Sequence, residues 1–205
     1  MKLPTLKEAR AILAEAEARN PGEWVRHSVV VARAAEAIAT YHPDLDAYDA
    51  YIMGLLHDIG RQEGVTGMRH IIDGHRFLQA KGFEDAARIC LTHSFPVKDV
   101  RVAFGRWDCS EADRLFVKDY LEGIEYDEYD RLYQVCDALA LPSGFCLIEK
   151  RLVDAGIRHG INEHVGPKWR ATLDLQQHFE KRIGQSIYAV LPGVMENTFG
   201  LEQKI

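Results

Sequence analysis

Residues 54–64 read GLLHDIGRQEG, which places a histidine beside an aspartate at the end of an apolar run. The side chains of His57 and Asp58 are about 100° apart around a helix axis, so at a helix end both can turn towards one ion. Asp58 has two carboxylate oxygens and is therefore able to bridge two ions. The pair predicts a metal site at the end of a buried helix.

A helical period continues on both sides of this stretch. The apolar positions predict a helix that starts near Asp44 or Asp46, runs to about Ile59 and ends at Gly60. Further helices are predicted over residues 5–19, 23–40, 69–80, 83–94, 110–122, 127–141, 144–159 and 166–182. No strand pairing is evident, so the sequence predicts an all-α fold.

Two segments interrupt the helical pattern. Residues 96–110 look irregular, and their Phe104 and Trp107 are more typical of a satellite core than of a lid or a base-stacking surface. The apolar run in residues 185–200 fits either a short strand or a helical turn docked on the core.

The composition limits the classes of function. With 205 residues and 47% hydrophobic content, the chain is long enough for one ordinary core. A net charge of −6 argues against a surface for a nucleic-acid polymer, which needs a basic patch. No apolar run approaches the roughly 20 residues that span a bilayer, and the charged N-terminus lacks a signal peptide's apolar region. We therefore expect a cytoplasmic protein with no membrane partner.

Two more residues are candidates for the same metal site as His57 and Asp58. His27 lies in the predicted helix over residues 23–40, and Asp137 lies among apolar residues in LYQVCDALALP. A carboxylate there is costly to bury unless it is paired or bound to metal. Each residue alone has an ordinary structural explanation, but the ordered set is harder to obtain by chance. We expect these four residues to hold one ion.

A second ion is expected about 3.5–4 Å away, the usual spacing in two-metal sites. His70 begins one predicted helix and His93 ends another, and both are candidate ligands of this ion. His75 is a rival to His70, which we prefer because it begins its helix and precedes Gly74 by four residues. Imidazole and carboxylate ligands suit Fe, Mn, Co, Ni or Zn, and Mg is less favoured.

The ordered histidines and aspartates resemble the HD-domain superfamily of metal-dependent phosphohydrolases. The resemblance covers about residues 20–145 and rests on four residues: His27 in WVRHSVVVARAAEAIA, His57 and Asp58 in GLLHDIGR, and Asp137 in YQVCDALAL. It implies an HD-domain helical bundle with the metal at its centre. It also implies hydrolysis of phosphomonoester or phosphodiester bonds, often in nucleotides.

Two further motifs resemble the branches of that superfamily with extra histidines for a second metal. They are RHIIDG, with His70, and ICLTHSFP, with His93. Those branches include hydrolases of diadenosine polyphosphates and phosphodiesterases of cyclic dinucleotides. The latter group has a Gly-Tyr-Pro signature, which is absent here because Ser94-Phe95-Pro96 follows His93.

Residues 146–205 lie beyond the resemblance and form a C-terminal extension that is predicted to be mainly helical. We treat residues 1–205 as a single domain. The extension is expected to cover the core, to shape the substrate pocket or to join two copies in a homodimer.

The expected reaction is cleavage of a phosphomonoester, phosphodiester or anhydride bond in a small phosphorylated metabolite or nucleotide. We assign candidate catalytic roles to Asp58, Arg61 and Glu63, and candidate substrate-binding roles to Arg26, Arg61 and Lys98. Exposed surface is the more typical setting for Lys98 and for Arg101. Two alternatives stay open, namely a non-catalytic nucleotide or metal sensor and a di-iron oxygenase of the HD type.

Overall fold

Helices make up most of the structure, a computed structural model that describes residues 1–103 and 105–201. They are α1 (Leu6–Arg19), α2 (Glu23–Tyr41), α3 (Ala47–Leu56), α4 (Arg69–Ala80), α5 (Glu84–Thr92), α6 (Glu111–Gly123), α7 (Glu128–Cys136), α8 (Ile148–His159), α9 (Val165–Ile183) and α10 (Val194–Phe199). Two short strands, β1 (Ala140–Leu141) and β2 (Gly144–Phe145), form an antiparallel pair in which Ala140 faces Phe145. The all-α prediction is confirmed.

Polar caps explain where several helices begin. Thr5 accepts a hydrogen bond from the Glu8 amide, and the Glu8 carboxylate bonds back to the Thr5 amide. Asp46, rather than Asp44, caps α3 by accepting from the Asp49 amide. Asp127 caps α7 in the same way.

The end of α3 differs from the prediction. The helix stops at Leu56 and His57 is its C-cap, after which a 3-10 turn spans Ile59–Glu63. Gly60 does not adopt a left-handed conformation. Its missing side chain instead permits close packing, since a Cβ there would lie 1.9 Å from the backbone oxygen of His70 on α4.

Two other predicted helices are also shorter. The one predicted to reach residue 141 stops at Cys136, and Asp137 starts a 3-10 turn that leads into β1. The helix predicted from residue 144 starts at Ile148, after β2. Residues 185–200 contain a 3-10 turn over Ile187–Val190 followed by α10, so the helical alternative is correct and the strand alternative is wrong.

One large apolar core joins the predicted extension to the rest of the chain. Phe179 and Ile183 of α9 belong to the same buried cluster as Ile38 of α2 and Leu56 of α3. A smaller cluster lies beside it and includes Met68, Ile71, Ile72, Leu91, Phe95, Val100, Val102, Val117 and Leu121.

The irregular segment after α5 contributes to the smaller cluster. Trp107 packs against it and stacks on the ring of Phe95, which agrees with the satellite-core interpretation. Phe104 lies outside the described residues. Within the described chain, no helix combines the length and the apolar character that a membrane crossing requires.

Candidate metal centre

Three of the predicted ligands lie where helices end. His57 is the C-cap of α3, His93 is the C-cap of α5, and Asp137 is the C-cap of α7. Helix C-termini carry partial negative charge from unpaired carbonyl groups, so three of them favour a cation at the point where they meet. His27 reaches this point from α2 and His70 from the first turn of α4.

Backbone carbonyl groups hold three of the candidate ligand histidines through Nδ1. His57 Nδ1 lies 2.8 Å from the Gly54 oxygen, His93 Nδ1 lies 3.0 Å from the Ile89 oxygen, and His70 Nδ1 lies 2.5 Å from the Gly67 oxygen. A carbonyl only accepts, so each Nδ1 carries the donated proton. In the neutral ring, Nε2 then presents a lone pair, as a metal ligand requires.

The ligand atoms form two groups that share Asp58. His27, His57 and Asp58 form one group, and Asp58, His70 and His93 form the other, with the ligand atoms of each group within 4.8 Å of one another. Asp137 completes the first group, because its Oδ1 lies 2.9 Å from His27 Nε2 and 4.0 Å from His57 Nε2.

The contacts between these atoms fit bound cations. His57 Nε2 is buried and has no hydrogen-bond partner in the described chain. His70 Nε2 and His93 Nε2 lie 3.1 and 3.7 Å from Asp58 Oδ1, so lone pairs of both partners face each other. A divalent ion in each group would satisfy these atoms without adding a proton.

The comparison with known families agrees with this geometry. A protein-family model for the HD domain matches residues 24–141. The chain belongs to the HD domain family. No curated protein and no solved structure matches it.

The match confirms the HD-domain resemblance, and HD domains are in general metal-dependent hydrolases. It ends before α8, so the whole of the last three helices lies beyond it. The resemblance to branches with extra histidines stays a prediction, which the positions of His70 and His93 beside Asp58 support.

The six candidate ligands together are called the HD site. Its electrostatics keep two of them, Asp58 and His93, in the protonation states that bind metal. Burial alone would raise the pKa of Asp58, but the neighbouring side chains of Arg61, His70 and His57, Arg61 foremost, hold it well below its usual value. Burial lowers the pKa of His93 to about 3, which leaves its imidazole neutral. Ionised carboxylates and neutral imidazoles are the protonation states that ligands need.

The second carboxylate of the HD site is held in the same way. Burial would raise the pKa of Asp137, but the hydrogen bond and charge of His27, followed by the charge of Arg151, hold it well below its usual value. Arg151 belongs to α8 and therefore acts on the HD site from outside the matched segment.

Arg61 holds Asp58 in place. Its Nε donates to Asp58 Oδ2 at 2.6 Å, and its Nη1 lies 3.4 Å from the Thr66 oxygen. This contact occupies one carboxylate oxygen and directs the other towards His70 and His93. The side chain is 30% exposed and also lines the cavity in front of the ligands.

That cavity has a volume of about 490 Å³, within the usual range for sites that enclose small molecules. One wall carries His27, Asp58, His70, His93 and Asp137 of the HD domain. The facing wall belongs to α8 and α9 and includes Arg151, Asp154, Arg158, His159, Lys168 and Thr172. The extension therefore lines the cavity, and its expected role in shaping a substrate pocket stays a prediction.

Three predicted functional residues lie away from the cavity. Glu63 is exposed and 3.9 Å from Arg19. Arg26 is also exposed and pairs with Glu23. Lys98 donates to the Ile124 carbonyl group and lies over the ring of Tyr126.

Two further placements concern rival residues. Arg101 is held by Asp99 and faces solvent, as expected of a surface residue. His75 packs beside Phe116 and Tyr120 and its Nδ1 contacts the Ala87 oxygen, so α4 brings His70 rather than His75 to Asp58.

Sequence reasoning missed the cations of the facing wall. Arg151 and Arg158 are seven residues apart on a predicted helix, with Ala155 between them, and this spacing places all three on one face. That signal was present, but charged positions on a helix usually face solvent. Nothing in the local pattern of Lys168 distinguishes it from the exposed Arg170.

Proposed function

We propose that the chain is a metal-dependent phosphohydrolase that cleaves a phosphomonoester, phosphodiester or anhydride bond of a small nucleotide-type substrate. The observation that carries the proposal is the pair of ligand groups that share Asp58 at the base of a cavity. Fe, Mn, Co, Ni and Zn suit these ligands better than Mg, because four of the six side chains are imidazoles.

The ligand set supports this chemistry in a simple way. Divalent ions, if held there, would lower the pKa of bound water and neutralise the charge of phosphoryl oxygens. Asp58 belongs to both groups: its Oδ1 lies near His70 and His93, and its Oδ2, which accepts from Arg61, lies 3.9 Å from His57 Nε2. Asp58 is thus placed to fix the distance between two ions that bind the same phosphoryl group.

Arg61 has a second role in this proposal. Its guanidinium group lines the cavity while Nε stays on Asp58, and the contacts of its Nη1 with the Thr66 oxygen and of its Nη2 with His70 Nε2 are longer, at 3.4 Å each. Such a planar donor suits phosphoryl oxygens. We assign Glu63, Arg26 and Lys98 no contact with substrate, because their side chains lie outside the cavity.

Metal content per chain is the first test. Protein purified without oxygen is measured by elemental analysis, with His93→Ala and the control His164→Ala beside it. We expect close to two ions in the wild type, about one in His93→Ala, and the wild-type value in His164→Ala, whose side chain is not in either ligand group. Absence of bound metal after reloading with Mn, Fe, Co, Ni or Zn would contradict the proposal.

Turnover is the second test, on p-nitrophenyl phosphate, bis-p-nitrophenyl phosphate and a dinucleoside polyphosphate. Asp58→Ala is expected to lower kcat by about 100-fold or more, since metal-assisted catalysis contributes several kcal/mol. Ligand binding without turnover would favour the sensor alternative. Oxygen consumption by the iron-loaded protein would favour the oxygenase alternative.

A further inference from the structure

Two basic side chains of the extension face the HD ligands across the cavity. Arg151 projects from α8 and Lys168 from α9, and both line the cavity that contains His27 and Asp137. These helices lie beyond the segment that matches the HD domain. The extension therefore adds positive charge to a site whose metal ligands come from other helices.

Arg151 has donor groups that the described protein does not use. Its Nε is buried and has no hydrogen-bond partner in the described chain. The carboxylate of Asp154 lies 3.8 Å from Arg151 Nη1, which is too long for a hydrogen bond. Asp154 is already paired with Arg158, whose Nε donates to it at 3.0 Å.

A buried guanidinium N–H without a partner is costly, so it indicates a ligand that accepts from it, and a cation favours an anionic one. The Arg151 side chain is only 20% exposed, and the cavity is the space in front of it. Arginine donors match phosphoryl oxygens in pairs, which gives both affinity and orientation.

Lys168 is held at the same wall by the turn that follows a metal ligand. Its Nζ donates to the Ser94 carbonyl oxygen at 3.1 Å, and Ser94 follows His93 directly. This contact keeps the ammonium group beside the ligands rather than in solvent. In this position the ammonium group can bind an oxygen of a ligand that also reaches the metal centre.

The charges of this wall favour a doubly charged ligand. Arg151, Arg158 and Lys168 are three cations, and Asp154 is the single carboxylate beside them among the cavity-lining residues of the extension. The wall thus carries a formal surplus of two positive charges. A terminal phosphate group is a dianion near neutral pH, whereas a phosphodiester carries one charge.

We propose that Arg151 and Lys168 bind the non-bridging oxygens of a terminal phosphate group, so that the extension selects phosphomonoesters over phosphodiesters. The proposal rests on the proposed hydrolase function for the reaction, but phosphate binding tests it independently.

The experiment uses the full-length, metal-loaded protein and inorganic phosphate as the probe, with binding measured by calorimetry. Arg151→Gln and Lys168→Met are each expected to weaken phosphate binding by about tenfold or more, with unchanged metal content. Arg170→Gln is the matched control, because Arg170 is exposed on α9 and does not line the cavity. Arg151→Lys keeps the charge and is expected to recover part of the affinity, which a purely structural role would not explain.

Kinetics on p-nitrophenyl phosphate and bis-p-nitrophenyl phosphate complete the test. In Arg151→Gln and Lys168→Met, KM for the monoester is expected to rise and the monoester preference in kcat/KM to fall by about tenfold. Wild-type phosphate affinity in both variants, or no phosphate binding by the wild type, would overturn the inference. Phosphate binding that depends on both residues without turnover of any substrate would support the inference and contradict the proposed hydrolase function.

Discussion

Gly60 lets two ligand-bearing segments touch. A Cβ at this position would lie 1.9 Å from the His70 oxygen and 2.4 Å from the Gly74 nitrogen, and both are backbone atoms that cannot rotate away. Gly60→Ala should therefore separate the turn after Asp58 from α4. We expect the free energy of unfolding to fall by about 1–3 kcal/mol or more. Denaturant unfolding measures this change, and metal titration should show weaker binding at His70.

Gly123→Ala is the matched control for this substitution. Gly123 is the last residue of α6, and a Cβ there would meet no heavy atom within 4 Å. The free energy of unfolding is expected to stay unchanged or to rise by about 0.4–1 kcal/mol. If Gly60→Ala matched the wild type in stability and in metal affinity, the close contact of Gly60 with α4 would contribute nothing to either.

The same residues show what can be predicted from one sequence. The candidate ligands were predictable because they form a recognisable ordered motif, with His57 and Asp58 at its centre. The role of Gly60 was not predictable, because a glycine after an apolar run also fits a helix end. The sequence does not show that α4 packs against this glycine. Arg151 and Lys168 were missed for a related reason, because a cation on a helix gives no sign of what it faces.

At the scale of helices, boundaries near the metal centre were the least predictable feature. The apolar patterns of α3 and α7 continue through the 3-10 turns that follow, so both helices were predicted too long. Their C-caps are the candidate ligands His57 and Asp137, which keep helical backbone angles and carry no glycine or proline signal. The candidate metal ligands themselves therefore occupy the positions where these two helices end.

A polar contact joins the extension to α2 and α7. His42 is the C-cap of α2 and its side chain is fully buried. Its Nε2 lies 3.4 Å from both Glu128 Oε2 and Arg182 Nε, and its Nδ1 accepts from the Asp44 amide at 3.2 Å. Burial lowers the pKa of His42; Glu128 opposes this shift, and the charges of Arg182 and His178 add to it.

This environment predicts a pH dependence of stability. Folded His42 resists protonation, whereas the unfolded chain takes up the proton below a pKa of about 6.5. The unfolded state then binds more protons, so the free energy of unfolding should fall as the pH is lowered from about 7 to 5. His42→Gln removes this contribution, which is at most about 1.4 kcal/mol per pH unit for one proton.

Urea unfolding of the metal-free wild type and of His42→Gln at several pH values measures the difference. The curve of the variant should be shallower between pH 7 and 5. His164→Gln is the control, because His164 lies at the start of α9 away from this contact. Parallel curves for the wild type and His42→Gln would contradict the prediction.

At the scale of the whole molecule, the all-α class and the HD core were predictable from helical period and motif. The position of α8 and α9 over the cavity was not, because periodicity shows that a helix has an apolar face but not which surface receives it. Both parts share one buried cluster, which includes Phe179 and Leu56. We therefore expect residues 1–205 to unfold in a single transition. The expected cytoplasmic location and homodimer stay predictions.

Metal binding should stabilise this whole unit. The candidate ligands come from α2, from the ends of α3, α5 and α7, and from α4, so ions in the two groups would together join five helices. An ion that binds only the folded state at 100 times its Kd adds about 2.7 kcal/mol. For a chain of this size, that corresponds to a rise in Tm of about 5–10 °C. Thermal unfolding with and without Mn²⁺ measures the shift, which a chelator should reverse.

Two variants locate the origin of this stabilisation. His57→Ala removes a candidate ligand of the first group and should lower the Mn²⁺-dependent rise, whereas His164→Ala should keep it in full. A second cluster, formed by His42, Glu128 and His178, also has the composition of a metal site. If Mn²⁺ raised the Tm of His57→Ala as much as that of the wild type, the stabilising ion would bind at the second cluster or at another site. Loss of the rise in His57→Ala alone would place it at the HD centre, where three helix C-termini and an unpartnered imidazole nitrogen already favour a cation.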